Sequence, residues 1–390
     1  MKTAFFGGTF DPIHNEHISI CLNAKNQFSI DRVFVLPAGI PPHKKSNKLV
    51  ALPTDRYNMA KTAFKVEKNI TVSDYEVQKK QPCYTVETLK YFSEQFSGDE
   101  FFLIIGADSL INFNKWYKYQ EILAMCSVIV CGREGVSEKD IIKQIKALQR
   151  ESPNKILLCD YKGTKISSTA LKVFLEFGYD CTSYINSNVL GYIRQNNLYT
   201  NYAFYIEKLK TMLSPKRYIH TVYTVISALR LAEKTGCDYN KTFLAAALHD
   251  CTKKLSDKEL YDLGFVLTTD VPEPVSHSVS GSFVARTVFN IKDKDILNSI
   301  RYHTTGRKKM SLLEKVIYVA DCIEFTRDYQ GVDMLRKAVE KDFETGFLKC
   351  MELTIQQLKA NENKEGVSDM TEKAYEYYIE NRKNGEVYDT

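Results

Sequence analysis

Short apolar runs alternate with amphipathic stretches over the first 180 residues of the chain. The runs are Ala4–Phe6, Val33–Leu36, Ile70–Val72, Phe101–Ile105, Val128–Cys131 and Ile156–Leu158. Between them, Arg56–Val66, Thr85–Phe96, Lys139–Arg150 and Ser168–Phe177 carry apolar residues at helical spacing. Apolar strands alternating with helices predict a parallel sheet covered on both faces. The expected fold is a doubly wound α/β sheet, which binds nucleotides at the carboxyl ends of its strands.

The pattern changes after about Asn196. Ile219, Val222, Ile226 and Leu229 fall on one helical stripe, and Phe243–Leu248 and Leu312–Ala320 are apolar helical segments. With almost no strand pattern left, the second half is predicted to be all-α. Asn-rich polar residues near Gln195–Tyr202 break the chain into expected domains of 1–197 and 198–390. The charged tail after Asn361 predicts a solvated helix with a frayed end.

Composition adds exclusions. A net charge of +5 from 53 basic and 48 acidic residues is no nucleic-acid footprint. The longest apolar stretch, Phe101–Ile105, is far short of a membrane span. Ten cysteines without a CxxC pair, and no signal peptide, predict reduced thiols in a cytoplasmic protein. Homo-oligomerisation is left open.

Histidine carries the candidate chemistry. All seven fall into two groups: His14, His17 and His43, then His220, His249, His277 and His303. The first group begins in Gly7-Gly8-Thr9-Phe10-Asp11-Pro12-Ile13-His14, directly after the first strand. Two glycines allow a tight turn and close approach to a ligand, and the helix that follows offers free N–H groups to a phosphate. His14 and His17, three apart, project from one face of its first turn. Neither GxGxxG nor GxxxxGK[ST] follows the strand, which excludes a dehydrogenase loop and a P-loop.

The string GGTFDPIH resembles the signature of the nucleotidyltransferase superfamily, and within it of bacterial nicotinate mononucleotide adenylyltransferases. The resemblance continues through Pro41-Pro42-His43-Lys44, Tyr84-Thr85-Val86-Glu87-Thr88-Leu89, Gly106-Ala107-Asp108-Ser109 with Trp116, Arg133, and Ile166-Ser167-Ser168-Thr169. It implies transfer of AMP from ATP, with Mg²⁺, to nicotinate mononucleotide, releasing pyrophosphate. It further implies that Gly8, Thr9, Phe10, His14 and His17 hold ATP, with Lys44 and Arg133 on its phosphates. Ser167, Ser168 and Thr169 would bind the triphosphate, and Thr85, Asp108 and Trp116 the acceptor. Such a site works by positioning and charge neutralisation, without a covalent nucleophile.

Two positions depart from that family. Glu16 stands where HxGH has glycine, adding bulk and charge near a polyanion, and Lys172 stands where arginine is usual. Other readings stay open: a nucleotide-binding regulatory module, or a related acceptor such as nicotinamide mononucleotide or phosphopantetheine.

The second group is a spaced series of His220, His249-Asp250, His277, His303 and Asp321, with His277 after a Pro-Glu-Pro turn. Imidazole and carboxylate without thiolate suit iron, manganese or zinc in a hydrolytic centre. Six ligands exceed the need of one catalytic metal, so a dinuclear centre is expected. The set resembles the HD-domain phosphohydrolases. The strings His249-Asp250-Cys-Thr-Lys253, His303-Thr304-Thr-Gly306 and Ala320-Asp321-Cys-Ile-Glu324-Phe-Thr-Arg327 resemble the branch that cuts diadenosine tetraphosphate symmetrically into two ADP. By that resemblance His220, His249, Asp250 and Asp321 hold one metal, while His277 and His303 complete the second. Lys253 and Arg327 would neutralise phosphate oxygens. A deoxynucleotide or a signalling nucleotide stays open as its substrate.

Overall fold

Each apolar run of the first half becomes a strand. The strands are β1 (Lys2–Gly8), β2 (Arg32–Pro37), β3 (Ile70–Val72), β4 (Glu100–Gly106), β5 (Ser127–Arg133) and β6 (Ile156–Gly163). They form one parallel sheet in the order β3-β2-β1-β4-β5-β6. The computed structural model describes residues 1–40, 50–133, 135–164, 166–266, 273–359 and 365–383, except a few side chains within them, Arg133 included. By contacts the chain divides into two compact units, Met1–Asn201 and Tyr202–Thr390.

Alternation along the strands builds two cores. Ala4, Phe6, Val33, Val35 and Ile104 pack on one face of the sheet. Phe5, Leu103, Ile105, Val128 and Val130 pack on the other. The covering helices are α1 (Asn15–Gln27), α2 (Pro53–Ala63), α3 (Thr85–Gln95), α4 (Ala107–Ile111), α5 (Tyr119–Met125), α6 (Glu138–Gln149), α7 (Ser168–Glu176) and α8 (Ser187–Gln195). The chain runs outward from β1 to β2 on one side and β4 on the other. The β1–β4 pairing ends at Phe6↔Ile104, while β1 stays paired with β2 through Gly8↔Pro37. Beyond that point β1 and β4 are free to part, and open α/β sheets place their ligand crevices at such switch points.

Among its described residues the second unit has helices and no strand: α9 (Ala203–Met212), α10 (Pro215–Thr235), α11 (Tyr239–Leu248), α12 (Asp257–Asp262), α13 (Glu273–Thr287), α14 (Lys294–Tyr302), α15 (Leu312–Ile323), α16 (Val332–Lys341), α17 (Phe343–Lys359) and α18 (Glu365–Lys383). Local sequence sets the ends of α10. Ser214 Oγ accepts from Arg217 N, Pro215 opens the first turn, and Gly236 closes the helix at φ 78°. Helices α11 and α15 are central. Phe243, Ala245, Ala246, Ala247 and Leu248 are all buried, as are Leu313 through Ala320. The two buried charges in that stretch are paired, Glu314 with Arg307 at 2.7 Å and Lys315 with Glu344 at 2.8 Å.

Three expectations change. Ile219 was expected on the buried stripe of α10, yet it is 43% exposed, because the face turned inward carries His220, Val222, Val225 and Leu229. His277 lies inside α13, and Glu273 and Pro274 of the Pro-Glu-Pro string are the first residues of that helix, not part of a separate turn; Pro272 lies outside the described residues. Proline is tolerated in a first turn, where its missing N–H has no intrahelical partner anyway. The charged tail also does more than sit in solvent. Thr371, Ala374 and Tyr378 of α18 are buried at helical spacing, and Tyr378 OH accepts from Met310 N at 2.6 Å. The expected frayed end, 384–390, lies outside the described residues.

Candidate active sites

The first site begins at the turn after β1. A Cβ on Gly8 would meet the Phe10 ring at 2.7 Å, so the glycine lets the loop fold over that ring. Phe10 takes φ 52° and is fully buried, 5.5 Å from the Phe6 ring and edge-on to His17 at 5.1 Å. Buried Arg56 fixes the loop from behind. Its guanidinium donates to the carbonyls of Thr9 (2.9 Å), Ala38 (2.5 Å) and Gly39 (2.7 Å). Asp11 is fixed from three sides, by Ala51 N (3.0 Å), Tyr199 OH (2.9 Å) and Lys172 Nζ (2.9 Å). Lys172 is thus half of a buried ion pair that holds the loop.

Two helix starts converge on this loop. His14 caps α1, and its ring lies 3.8 Å from that of His17. His17 Nδ1 accepts from His14 N at 3.3 Å. The neutral ring then carries its proton on Nε2, the donor form that a phosphate oxygen needs. Ser167 caps α7 by accepting from Ala170 N, and Ser168 Oγ donates to Pro12 O at 3.2 Å. The first turns of α1 and α7 therefore lie against one loop, with Asn15 N already donating to Tyr184 O at 2.8 Å and His17 N to His14 O at 2.9 Å.

A cavity of about 510 Å³ opens here, with Gly8, Thr9, His14, His17, Thr85, Asp108 and Trp116 in its wall. Phe10, Ser167, Ser168 and Thr169 are not part of that wall. Lys44 and the Arg133 side chain, with His43, lie outside the described residues. Trp116 packs on Phe113 at 5.0 Å between ring centroids. Sequence reasoning passed over Glu76, which also lines the cavity and accepts from Thr88 Oγ1 at 2.8 Å. Burial pushes its carboxyl up to about 7, against the lowering effects of Thr88 and Lys79. The string around it, Ser73-Asp74-Tyr75-Glu76, carries no signal for that role. Glu16 also reaches the cavity wall, but its oxygens are taken by Tyr161 OH (2.7 Å) and Thr164 Oγ1 (2.9 Å). A Cβ on Gly163 would stand 2.1 Å from Glu16 Oε1, so that glycine makes the room for the carboxylate.

The cytidylyltransferase-like family matches residues 5–174. A probable nicotinate-nucleotide adenylyltransferase of Clostridium botulinum (strain Hall) is 38% identical over 201 residues, 51% of this chain and 99% of that protein. One from Clostridium acetobutylicum is 35% identical over 198 residues, 51% of this chain and 98% of that protein. The first half of the chain belongs to the nicotinate-nucleotide adenylyltransferase family. These relatives span only that half. Residues 217–326 match the HD domain family, so this family member carries an HD domain behind its adenylyltransferase unit. A crystal structure described as a predicted HD superfamily hydrolase involved in NAD metabolism, from Clostridium acetobutylicum, is 35% identical. It covers 45% of this chain and 94% of that chain, with a TM-score of 0.39.

The HD domain gathers its side chains from five helices or their ends. His220 lies on α10, His249 and Asp250 just after α11, His277 on α13, His303 just after α14 and Asp321 on α15. His249 Nδ1 and His303 Nδ1 each lie 2.7 Å from the carbonyl three residues back, of Ala246 and Ile300. Those bonds fix the protons on Nδ1 and leave both Nε2 atoms as donors to a metal. Burial lowers the pKa of His249, which keeps its ring neutral. His220 Nδ1 meets Glu324 Oε1 at 3.1 Å, and its Nε2 lies 3.2 Å from His249 Nε2 and 3.0 Å from Asp321 Oδ1. Burial opposes charge on His220, but Asp321 and Glu324 together outweigh it and raise its pKa.

Asp250 stands between the two halves. Its Oδ1 is buried without a hydrogen bond, 3.3 Å from His277 Nε2 and 3.5 Å from His303 Nε2. Its Oδ2 lies 3.5 Å from His249 Nε2. Burial would raise this carboxyl, but His249 and His303 hold it well below its ordinary range. The ligand atoms form overlapping clusters: His220, His249 and Asp250; His249, His303 and Asp321; Asp250, His277 and His303. Converging imidazole nitrogens around a buried carboxylate oxygen are a donor set that fits divalent cations. Arg327 pairs with Asp321, and Lys253 Nζ lies 2.9 Å from His277 Nε2. Two supports had no role assigned from the sequence: Glu324 behind His220, present there as part of a motif string alone, and Arg217, which donates to Asp250 Oδ2 at 2.6 Å. Arg217 stands three residues before His220 on one helix face, the one signal that could have found it.

Proposed function

We propose that the chain is bifunctional. Its first unit transfers AMP from ATP to nicotinate mononucleotide, giving deamido-NAD and pyrophosphate. The wall shared by the His14–His17 turn and Trp116 carries this reading, since one end suits phosphate and the other a planar ring. His17 donates from Nε2 to phosphate, the starts of α1 and α7 lend N–H groups, and Lys44 and Arg133 add charge with Mg²⁺ on the ATP. Thr85, Asp108 and Trp116 orient the acceptor, so that its phosphate approaches the α-phosphate in line.

The second unit hydrolyses diadenosine tetraphosphate to two ADP. The reading rests on Asp250, whose unbonded Oδ1 lies between the His277 and His303 nitrogens. His220, His249, Asp250 and Asp321 would hold one divalent metal, with His277 and His303 completing a second; iron is favoured over manganese or zinc. Such metals supply Lewis acidity and an activated water when bound. Lys253 and Arg327 neutralise phosphate charge, and Glu324 keeps the His220 ring oriented. Product identification tests both halves. Deamido-NAD and pyrophosphate are expected from the first, and ADP alone from diadenosine tetraphosphate. AMP plus ATP would overturn symmetrical cleavage, and activity on nicotinamide mononucleotide alone would overturn the acceptor.

A further inference from the structure

The segment after α15 presents one aromatic side chain to solvent on a fixed backbone. Phe325 is 73% exposed, directly after fully buried Glu324. Thr326 donates to the Glu324 carboxylate through both N and Oγ1, each at 2.6 Å. Arg336 of α16 donates to the carbonyls of Ile323 (3.0 Å), Glu324 (2.7 Å) and Arg327 (2.9 Å). The loop is therefore held on both flanks of Phe325. The Phe325 ring lies 5.5 Å from the ring of Tyr223, tilted by 31°. Tyr223 follows His220 by three residues on α10, and exposed Ile219 lies one turn further back. These residues flank the metal-ligand set. Glu324 supports His220, and Arg327, two residues beyond Phe325, pairs with Asp321.

We propose that Phe325 and Tyr223 form a stacking platform for the base of a nucleoside polyphosphate whose phosphates engage the HD centre. The inference rests on the hydrolase reading above. A rigid apolar ring beside a cationic, metal-binding cluster suits a ligand that is planar at one end and polyanionic at the other. Phe325 and Thr326 are the central residues of a turn in which Arg327 N donates to Glu324 O at 3.1 Å, so one short corner of chain carries both the exposed ring and the guanidinium that pairs with Asp321. The face of a ring reads any base, so the platform sets affinity for nucleotides over base-free phosphates without selecting among sequences of atoms on the base edge.

The test uses metal-loaded full-length protein. Phe325→Ala should raise KM for diadenosine tetraphosphate by about tenfold with kcat and metal content unchanged, since stacking contributes about 1–3 kcal/mol per base and a tenfold change is about 1.4 kcal/mol. Phe325→Leu, which keeps apolar bulk but loses the aromatic face, should behave like alanine, and Phe325→Tyr should restore wild-type KM. The chain has one tryptophan, so Trp116→Phe combined with Phe325→Trp leaves a single reporter on the loop. ADP should quench it saturably. An unchanged KM in both Phe325→Ala and Phe325→Leu, or an emission indifferent to ADP, overturns the platform. Should the wild type cleave no dinucleotide, the hydrolase reading falls separately, and the quench alone then decides the platform: saturation supports it, and unchanged emission overturns it.

Discussion

Asp250 is a buried carboxylate with one oxygen unbonded among imidazole nitrogens, an arrangement that is costly without a cation. Asp250→Ala should strip metal from the HD unit and abolish hydrolysis while deamido-NAD formation persists; metal analysis beside the two product assays checks it. Trp116→Ala should raise KM for nicotinate mononucleotide far more than for ATP, because only the acceptor ring loses a neighbour; an effect on ATP alone would move Trp116 away from the acceptor. Glu76 gives a pH dependence. Its folded pKa of about 7 exceeds the ordinary 4.5, so the folded state binds the proton more tightly. Stability of the first unit should therefore fall as pH rises from about 4.5 to 7, and Glu76→Gln should flatten that fall in thermal unfolding scans. The clustering of the histidines with Asp250 and Asp321 was legible because imidazole and carboxylate declare their chemistry by type. Glu324, Arg217 and Glu76 were not, since an acid or a base on a helix or loop gains its role only from what lies beside it. Glu16 shows the same limit. The sequence places its charge near a polyanion, whereas two hydroxyls and the space at Gly163 decide where the carboxylate goes.

Among elements, strands were read most closely, because an apolar run buried on both faces has few other destinations. All six runs became strands of one sheet. Helix α10 was less legible: its inward face includes His220, Thr221 and Thr224, so polar residues occupy core positions and an apolar one, Ile219, is left outside. Helix α18 was obscured by its many charges; among its described side chains, Thr371, Ala374 and Tyr378 are the buried ones. Tyr378→Phe tests how far that helix is built into the unit. It leaves the Met310 N–H without its acceptor, which costs about 1–3 kcal/mol. At about 2–4 °C per kcal/mol for a unit of this size, the second unfolding transition should drop by roughly 2–12 °C. A drop below 1 °C would show that α18 is dispensable.

The whole chain holds two compact units, each with its own core and its own candidate site. Proteolysis engineered at Asn201–Tyr202 should give two soluble pieces, and His17→Ala should cut adenylylation by orders of magnitude with hydrolysis intact. Loss of both activities together would count against independent sites. The two sites also follow one another along the chain. The wall of the first cavity is drawn from Phe5 to Ile122, and the clustered side chains of the HD unit run from His220 to Asp321 on five separate helices or their ends. At a synthesis rate of about 5–20 residues per second, roughly 5–20 s pass between His220 and Asp321. A ribosome therefore releases a finished nucleotide cavity well before the second unit can close around a metal, and a cell starved of that metal would accumulate chains with a complete front half and an empty clasp behind it.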